Sequence, residues 1–166
     1  KETGTMEILL VSPMNSLFVI LSKAVPYFVL SILNLTTILL LSFFVLDVPI
    51  AGSLTALVGV SLVFIFVSLA LGLLISNVTQ TQVAAMLASG MVLMLPTIIL
   101  SGIIFPIESM PGILQGISCF IPARWYVSIV RRIMIEGVPF MYVWKETAIL
   151  LFMAVVLIGI TTRTFK

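Results

Sequence analysis

Four long apolar runs without a charged residue constrain the fold of this chain more than any other feature. They cover residues 24–46, 54–75, 83–100 and 147–162. An α-helix rises about 1.5 Å per residue, so about 20 apolar residues cross the hydrocarbon core of a bilayer. The first two runs reach that length. The third is marginal, and it contains Pro96, which removes a backbone donor and predicts a bend.

The fourth run is short by strict counting, but the residues beside it extend it. Lys145 and Arg163 can reach the membrane interface from its ends, and Tyr142 and Trp144 are aromatic residues of the type found at that interface. We therefore predict a fourth span over residues 143–162. Together the runs predict an all-α integral membrane bundle with four transmembrane helices.

The composition agrees with lipid as the main solvent. The 166 residues are 61% hydrophobic and 8% charged, whereas soluble domains are about 25% charged. The net charge of +2 is too small and too dispersed to indicate nucleic acid as a partner. Cys119 is the single cysteine, so no internal disulfide can form, and we expect it to be a small buried apolar residue. The opening Lys1 without a preceding methionine leads us to expect a piece of a longer protein.

The connection between the third and fourth runs, residues 101–141, is unusually long and rich in proline and glycine. We expect two short helices split at Pro122, the first from about Pro111 to Phe120 and the second from about Ala123 to Glu136. Each has fewer than about 15 residues, so neither crosses a bilayer. We expect a broken helical hairpin that lies at the interface or is re-entrant; the alternative is a passive cap on the bundle.

The second short helix is amphipathic. One side carries Arg124, Ser128, Arg131 and Arg132, and another carries the apolar set Trp125, Ile129 and Ile133. This spacing is typical of an amphipathic helix at an interface.

Small residues at helical spacing give a weaker packing signal. Ser68, Gly72 and Ser76 are spaced by four, as are Ala84 and Ala88. Such ladders allow two helices to approach closely, but they also arise by chance in apolar sequence. The sequence leaves both interpretations open.

Several kinds of chemistry have no support in this sequence. The four runs contain no ionisable side chain of the kind that ion-coupled carriers use, although a missing N-terminal portion could hold one. No lysine follows a glycine, so the chain has no P-loop for ATP. There is no histidine to activate a serine nucleophile or bind a metal. We expect no cofactor, no metal site and no catalytic residue, with energy supplied by another subunit.

Residues 1–14 form the second informative segment. Glu7 and the apolar residues after it are compatible with a short helix that Thr5 caps and Pro13 ends. Because the segment is polar at its start and apolar afterwards, we expect an amphipathic helix that lies flat at the membrane surface. A plain juxtamembrane helix is the alternative.

Three motifs in order resemble those of ABC-2 type transporter permeases. They are "KETGTMEILLVSPM", "SNVTQTQVAAM" and "LPTIILSGIIFPIESMPGILQGISCFIPARWYVSIVRRIMIEG". The resemblance implies that these are the last four of six spans. It also implies an N-terminal coupling helix that docks on a cytoplasmic ATPase, and short external or re-entrant helices near the exit of the substrate path. Lysines and arginines are balanced on the two sides of the membrane, so only the resemblance places Lys1 and Lys166 in the cytoplasm.

The resemblance also supplies candidate site residues. It implies ATPase-coupling residues in the first segment: Glu2, Gly4, Thr5, Glu7, Leu9 and Leu10. The broken hairpin gives candidate gate residues: Gly102, Pro106, Pro111 and Arg124. We expect bends at Gly102 and Pro106. We expect Arg124 to be a polar anchor at the outer surface, held by phosphate headgroups or by a carboxylate, for which Glu108 is one candidate.

The leading hypothesis is a multi-pass permease subunit of an ATP-binding cassette exporter in a bacterial plasma membrane. Its expected partners are cytoplasmic ABC ATPase subunits, a second permease copy or homologue, and membrane lipid. The alternative is a non-transporting membrane scaffold or anchor for a partner complex, and a secondary carrier is a third possibility. The sequence does not identify the substrate.

Overall fold

The computed structural model describes residues 15–164, and this part of the chain folds as helices joined by short turns. Four helices are long and apolar enough to cross a membrane: α1 (Ser16–Phe44), α2 (Leu54–Val78), α3 (Gln82–Leu100) and α6 (Trp144–Thr164). Two shorter helices lie between α3 and α6: α4 (Gly112–Ser118) and α5 (Pro122–Met134). The axes of α4 and α5 are bent by 88°. The all-α membrane bundle predicted from the sequence is therefore confirmed for the described residues.

The first helix begins at Ser16, well before the uncharged run, and includes Lys23 and Pro26. Its 29 residues correspond to about 43 Å, which exceeds the roughly 30 Å hydrocarbon core. One end therefore extends beyond the hydrocarbon, and this accommodates Lys23 near a membrane boundary. The predicted amphipathic helix over residues 1–14 lies outside the described residues.

The third span is irregular just before its proline. Residues Ser89–Met94 form a π-helical segment, and α-helix resumes over Leu95–Leu100 with Pro96 in its first turn. A proline cannot donate to the carbonyl four residues earlier, and its ring clashes with that carbonyl. A wider π turn relieves this conflict, which gives a physical reason for the irregularity that Pro96 predicted.

The core lies where α2, α5 and α6 meet, and each of these three helices packs against the other two. Its buried apolar residues come from these helices and from the turn before α6: Leu57, Val60, Ile129, Ile133, Val143 and Leu150. Both Ile129 and Ile133 are 0% exposed, whereas Arg131 is exposed. The predicted amphipathicity of the second short helix is confirmed, and its apolar side supplies a third of this core cluster.

The loop between α1 and α2 holds the far end of α5. The backbone N–H of Ala51 donates to the carbonyl oxygen of Met134 at 3.1 Å. A Cβ atom added to Gly52 would lie 2.5 Å from the carbonyl oxygen of Ile133. Only glycine permits this approach, so the loop sequence and the position of α5 depend on each other.

Two spans contribute almost no fully buried residues within the described part of the chain. In the most apolar 18-residue window of α1 no residue is buried, and in that of α3 only 6% of the residues are buried. Gly72 does not mediate close helix packing, because a Cβ atom added there would meet nothing within 4 Å. The residues Ser68, Gly72 and Ser76 instead line a cavity of about 690 Å³ together with Lys23 and Tyr27 of α1.

Candidate functional site at the bent helical pair

The chain leaves α3 through a turn that requires glycine. Gly102 has φ +85°, a left-handed conformation that other residues rarely adopt. Its α-carbon also faces Ile107, whose side chain would lie 3.2 Å from an added Cβ atom. The bend expected at Gly102 is present, and the left-handed backbone angle is its main cause.

Two prolines begin the short helices after this turn. Pro106 precedes a single 3-10 turn, Ile107–Ser109, and its carbonyl oxygen accepts a bond of 2.7 Å from the Ser109 hydroxyl. Pro111 occupies the N-cap position of α4 with φ −55°. Proline suits both places because its φ is fixed and it has no N–H to satisfy. Three of the four candidate gate residues thus fall at the turns of one connected segment.

The fourth of them, Arg124, joins α4 to α5. Its Nη1 donates to the carbonyl oxygen of Gln115 at 2.9 Å and to the hydroxyl of Ser118 at 2.5 Å, and lies 3.0 Å from Sγ of Cys119. A cation at the end of a helix satisfies carbonyls that have no intrahelical partner. The indole N–H of Trp125 adds a bond of 3.0 Å to the Cys119 carbonyl oxygen.

The structure excludes one alternative for Arg124, and it shows that the expectation for Cys119 was wrong. Glu108 was a candidate carboxylate partner for Arg124, but the two form no ion pair, and neutral groups hold the guanidinium instead. Cys119 was expected to be buried, but it is exposed, because it lies at the end of α4, most of whose residues are exposed.

Polar contacts that the sequence analysis missed fix α5 between its neighbours. The Tyr126 hydroxyl lies 2.9 Å from that of Ser61 in α2, which is 1% exposed. Arg132 donates to the Glu146 carboxylate of α6 at 2.9 Å. The sequence contains a signal for the pair of Arg132 and Glu146, because a carboxylate beside the fourth apolar run needs a partner at a membrane boundary. No local pattern linked Tyr126 to Ser61.

An apolar groove opens beside this anchored pair. It has a volume of about 680 Å³ and lies between α2, the π-helical part of α3 and the turn that joins α4 to α5. Its walls are mostly aliphatic and aromatic, with hydroxyl groups from Ser68, Ser89 and Thr97. Such a surface suits an apolar or amphipathic molecule with few polar groups.

The six predicted coupling residues between Glu2 and Leu10 lie outside the described residues. Among residues 15–164, no group of three or more acidic, cysteine or histidine side chains is placed to hold a metal ion.

Four membrane-length helices and a bent pair of short helices before the last of them define a multi-pass helical membrane protein. Comparison with known families narrows this class. The family described as "ABC-2 family transporter protein" matches residues 1–163, so the chain belongs to that family.

Three relatives from Escherichia coli illustrate the similarity. The probable multidrug ABC transporter permease YbhS is 38% identical over 96% of this chain and 42% of its own length. The probable multidrug ABC transporter permease YbhR is 32% identical over 88% of this chain and 39% of its own length. The inner membrane transport permease YhhJ is also 32% identical, with the same shares covered.

The chain spans about two fifths of the length of these relatives. No solved structure matches the chain significantly.

Proposed function

We propose that this chain forms the C-terminal membrane-spanning part of an ABC exporter permease, which moves its substrate with ATP hydrolysed by a separate subunit. The observation that carries the proposal is the family match over residues 1–163. The absence of a P-loop lysine from the 166 residues supports a separate source of energy. The alternative of a non-transporting scaffold has no observation of its own in its favour.

The apolar groove beside the π-helical segment is the proposed place where substrate contacts this part of the permease. Its lining favours apolar or amphipathic compounds over ions or sugars. The word multidrug in the names of two relatives agrees with such a substrate class. The uncovered faces of α1 and α3 leave room for a second permease copy or homologue, or for lipid, beside the groove.

The coupling residues and the gate residues have distinct proposed roles. Residues between Glu2 and Leu10 dock on the ATPase and transmit its closure to the spans. The bent pair, α4 and α5, has two packing arrangements against the spans, and one of them opens the outer end of the substrate path. The residues that permit both arrangements are Gly102, Pro106, Pro111 and Arg124. ATP binding would then shift the population between these states by binding one of them more tightly.

The experiment is a pull-down of the ATPase alongside a transport assay in membrane vesicles, using the complete protein. Gly4→Asp and Leu9→Asp each place a charge in the proposed docking contact, where an unpaired desolvated charge costs several kcal/mol, so we expect ATPase association to fall about a hundredfold or more. Transport should fall in parallel while membrane insertion stays normal. Thr3→Ser is the matched control within the same segment.

Two results would contradict the proposal. Wild-type association and transport in both aspartate variants would remove the coupling role. A complete protein that recruits no ATPase and drives no ATP-dependent transport would favour the scaffold.

A further inference from the structure

A second, polar cavity lies between the segment that leaves α3 and the charged side of α5. It has a volume of about 230 Å³. Its charged lining residues are three arginines and two glutamates: Arg124, Arg131, Arg132, Glu108 and Glu136. Because α3 ends at Leu100 and Ser101 already lines this cavity, the cavity lies at the level where a span meets the headgroup layer.

The charges in this cavity do not neutralise one another. Neither Glu108 nor Glu136 forms an ion pair with any of the three arginines. Arg132 is paired outside the cavity lining, with Glu146. Arg131 makes only one long bond with the described residues, at 3.5 Å to the carbonyl oxygen of Gly102. A guanidinium group has five N–H donors, so most of the donors of Arg131 remain available.

Ser101 gives an independent sign of an unmet polar contact. The residue is 1% exposed, and its hydroxyl has no hydrogen-bond partner among the described residues. A buried hydroxyl without a hydrogen-bond partner is destabilising, so such groups are uncommon unless something else satisfies them. It lines the same cavity as Arg131.

We propose that this cavity binds the headgroup of a phospholipid that carries both a phosphate and an amine. Arg124, Arg131 and the Ser101 hydroxyl would contact the phosphate, and Glu108 and Glu136 would contact the ammonium group. A purely anionic headgroup would be repelled by the two carboxylates, and a purely cationic ligand by the arginines. A small ligand that carries both a phosphate and an ammonium group matches the arginines and the glutamates together.

The apolar residues beside the cavity favour a lipid over a free phosphate compound. Ile103, Ile104 and Phe105 follow Gly102 directly and are 64%, 55% and 55% exposed. At the level of the headgroups, these side chains would contact the upper part of the acyl chains. The bound lipid would hold the bent pair at the membrane surface, and this binding does not depend on the transport function proposed above.

The test measures lipid retained by the complete purified protein, by native mass spectrometry after exchange into equal mixtures of phosphatidylethanolamine, phosphatidylglycerol and phosphatidylcholine. We expect phosphatidylethanolamine to be retained in preference to the other two, because the methylated amine of phosphatidylcholine cannot donate hydrogen bonds to the carboxylates. Arg131→Gln should reduce this retention about fivefold, the effect of one partly exposed charged contact. Ser101→Ala should reduce it in the same direction.

Matched variants separate this site from general lipid binding. Arg163→Gln removes the same charge at the end of α6, away from the cavity, and should leave retention unchanged. The double change Glu108→Gln with Glu136→Gln should shift the preference towards phosphatidylglycerol. Equal retention of the three lipids by the wild type, or wild-type retention by Arg131→Gln, would overturn the proposal. If millimolar glycerophosphoethanolamine or inorganic phosphate alone displaces the lipid, the ligand of this cavity is a soluble phosphate compound and not a lipid.

Discussion

The ring of Tyr126 stacks on the ring of Phe64 with centroids 4.2 Å apart and planes inclined by 3°. The first residue belongs to the short helix α5 and the second to the span α2. The Tyr126 hydroxyl also contacts that of Ser61, one turn earlier on α2. One side chain therefore contributes to both the distance and the rotation of α5 against α2.

Two substitutions at Tyr126 separate these contributions. Tyr126→Phe removes the hydroxyl contact but keeps the ring, and we expect a loss of about 1 kcal/mol in stability. Tyr126→Ala also removes the stacked ring, and we expect a loss of about 3 kcal/mol or more. Denaturant unfolding in detergent micelles would measure both. Tyr142→Phe, at a residue 69% exposed, is the control and should have little effect. Equal stabilities for all three variants would show that the contact contributes nothing.

Gly52→Ala should destabilise the junction between the α1–α2 loop and α5. The added methyl group would meet the Ile133 carbonyl oxygen at 2.5 Å, and backbone atoms cannot move aside cheaply. We expect a loss of about 1–3 kcal/mol. Gly59→Ala is the matched control in α2, where an added methyl group meets nothing within 4 Å. It should be neutral or slightly stabilising, since alanine favours helix. The same thermal midpoint in both variants would contradict the close approach.

The gate hypothesis predicts that Gly102→Leu and Arg124→Ala each reduce export severalfold while ATPase binding stays intact. The glycine change forces a branched residue into φ +85°. The arginine change removes the bonds from the Arg124 guanidinium to the end of α4. Export from vesicles and a parallel ATPase pull-down are the measurements.

A control for the gate experiment lies in the same helical pair. Gly116→Ala in α4 adds a methyl group where nothing lies within 4 Å, so export should remain normal. If Gly102→Leu and Arg124→Ala also export at the wild-type rate, the bent pair is a passive cap.

Thiol labelling tests the orientation of the spans. Asn77 lies at the end of α2 and Ser109 lies beyond the end of α3, so one span separates them. In intact cells, a cysteine at Ser109 should react with an impermeant reagent added outside, and one at Asn77 should not. Both belong in a Cys119→Ser background, because Cys119 is itself exposed. Labelling at Asn77 alone would reverse the orientation.

The sequence by itself determined the class of fold. Uncharged runs of membrane length, a proline near a helix irregularity and the arginine side of α5 are local patterns, and each corresponds to a feature of the structure. Such patterns are readable because a bilayer requires every backbone group to be bonded within its own helix. The family motifs are also local in the sequence, and they likewise indicated an ABC-2 permease.

The tertiary structure alone decided which side chains meet. Ser61 and Tyr126 are far apart in the sequence, and nothing local marks them as partners. Arg124 could have paired with Glu108, but the geometry of the 88° bend places helix-end carbonyl and hydroxyl groups closer. The ladder of Ser68, Gly72 and Ser76 lines a cavity because α1 does not approach Gly72 closely. These outcomes depend on the positions of separate helices, which residue spacing within one helix does not specify.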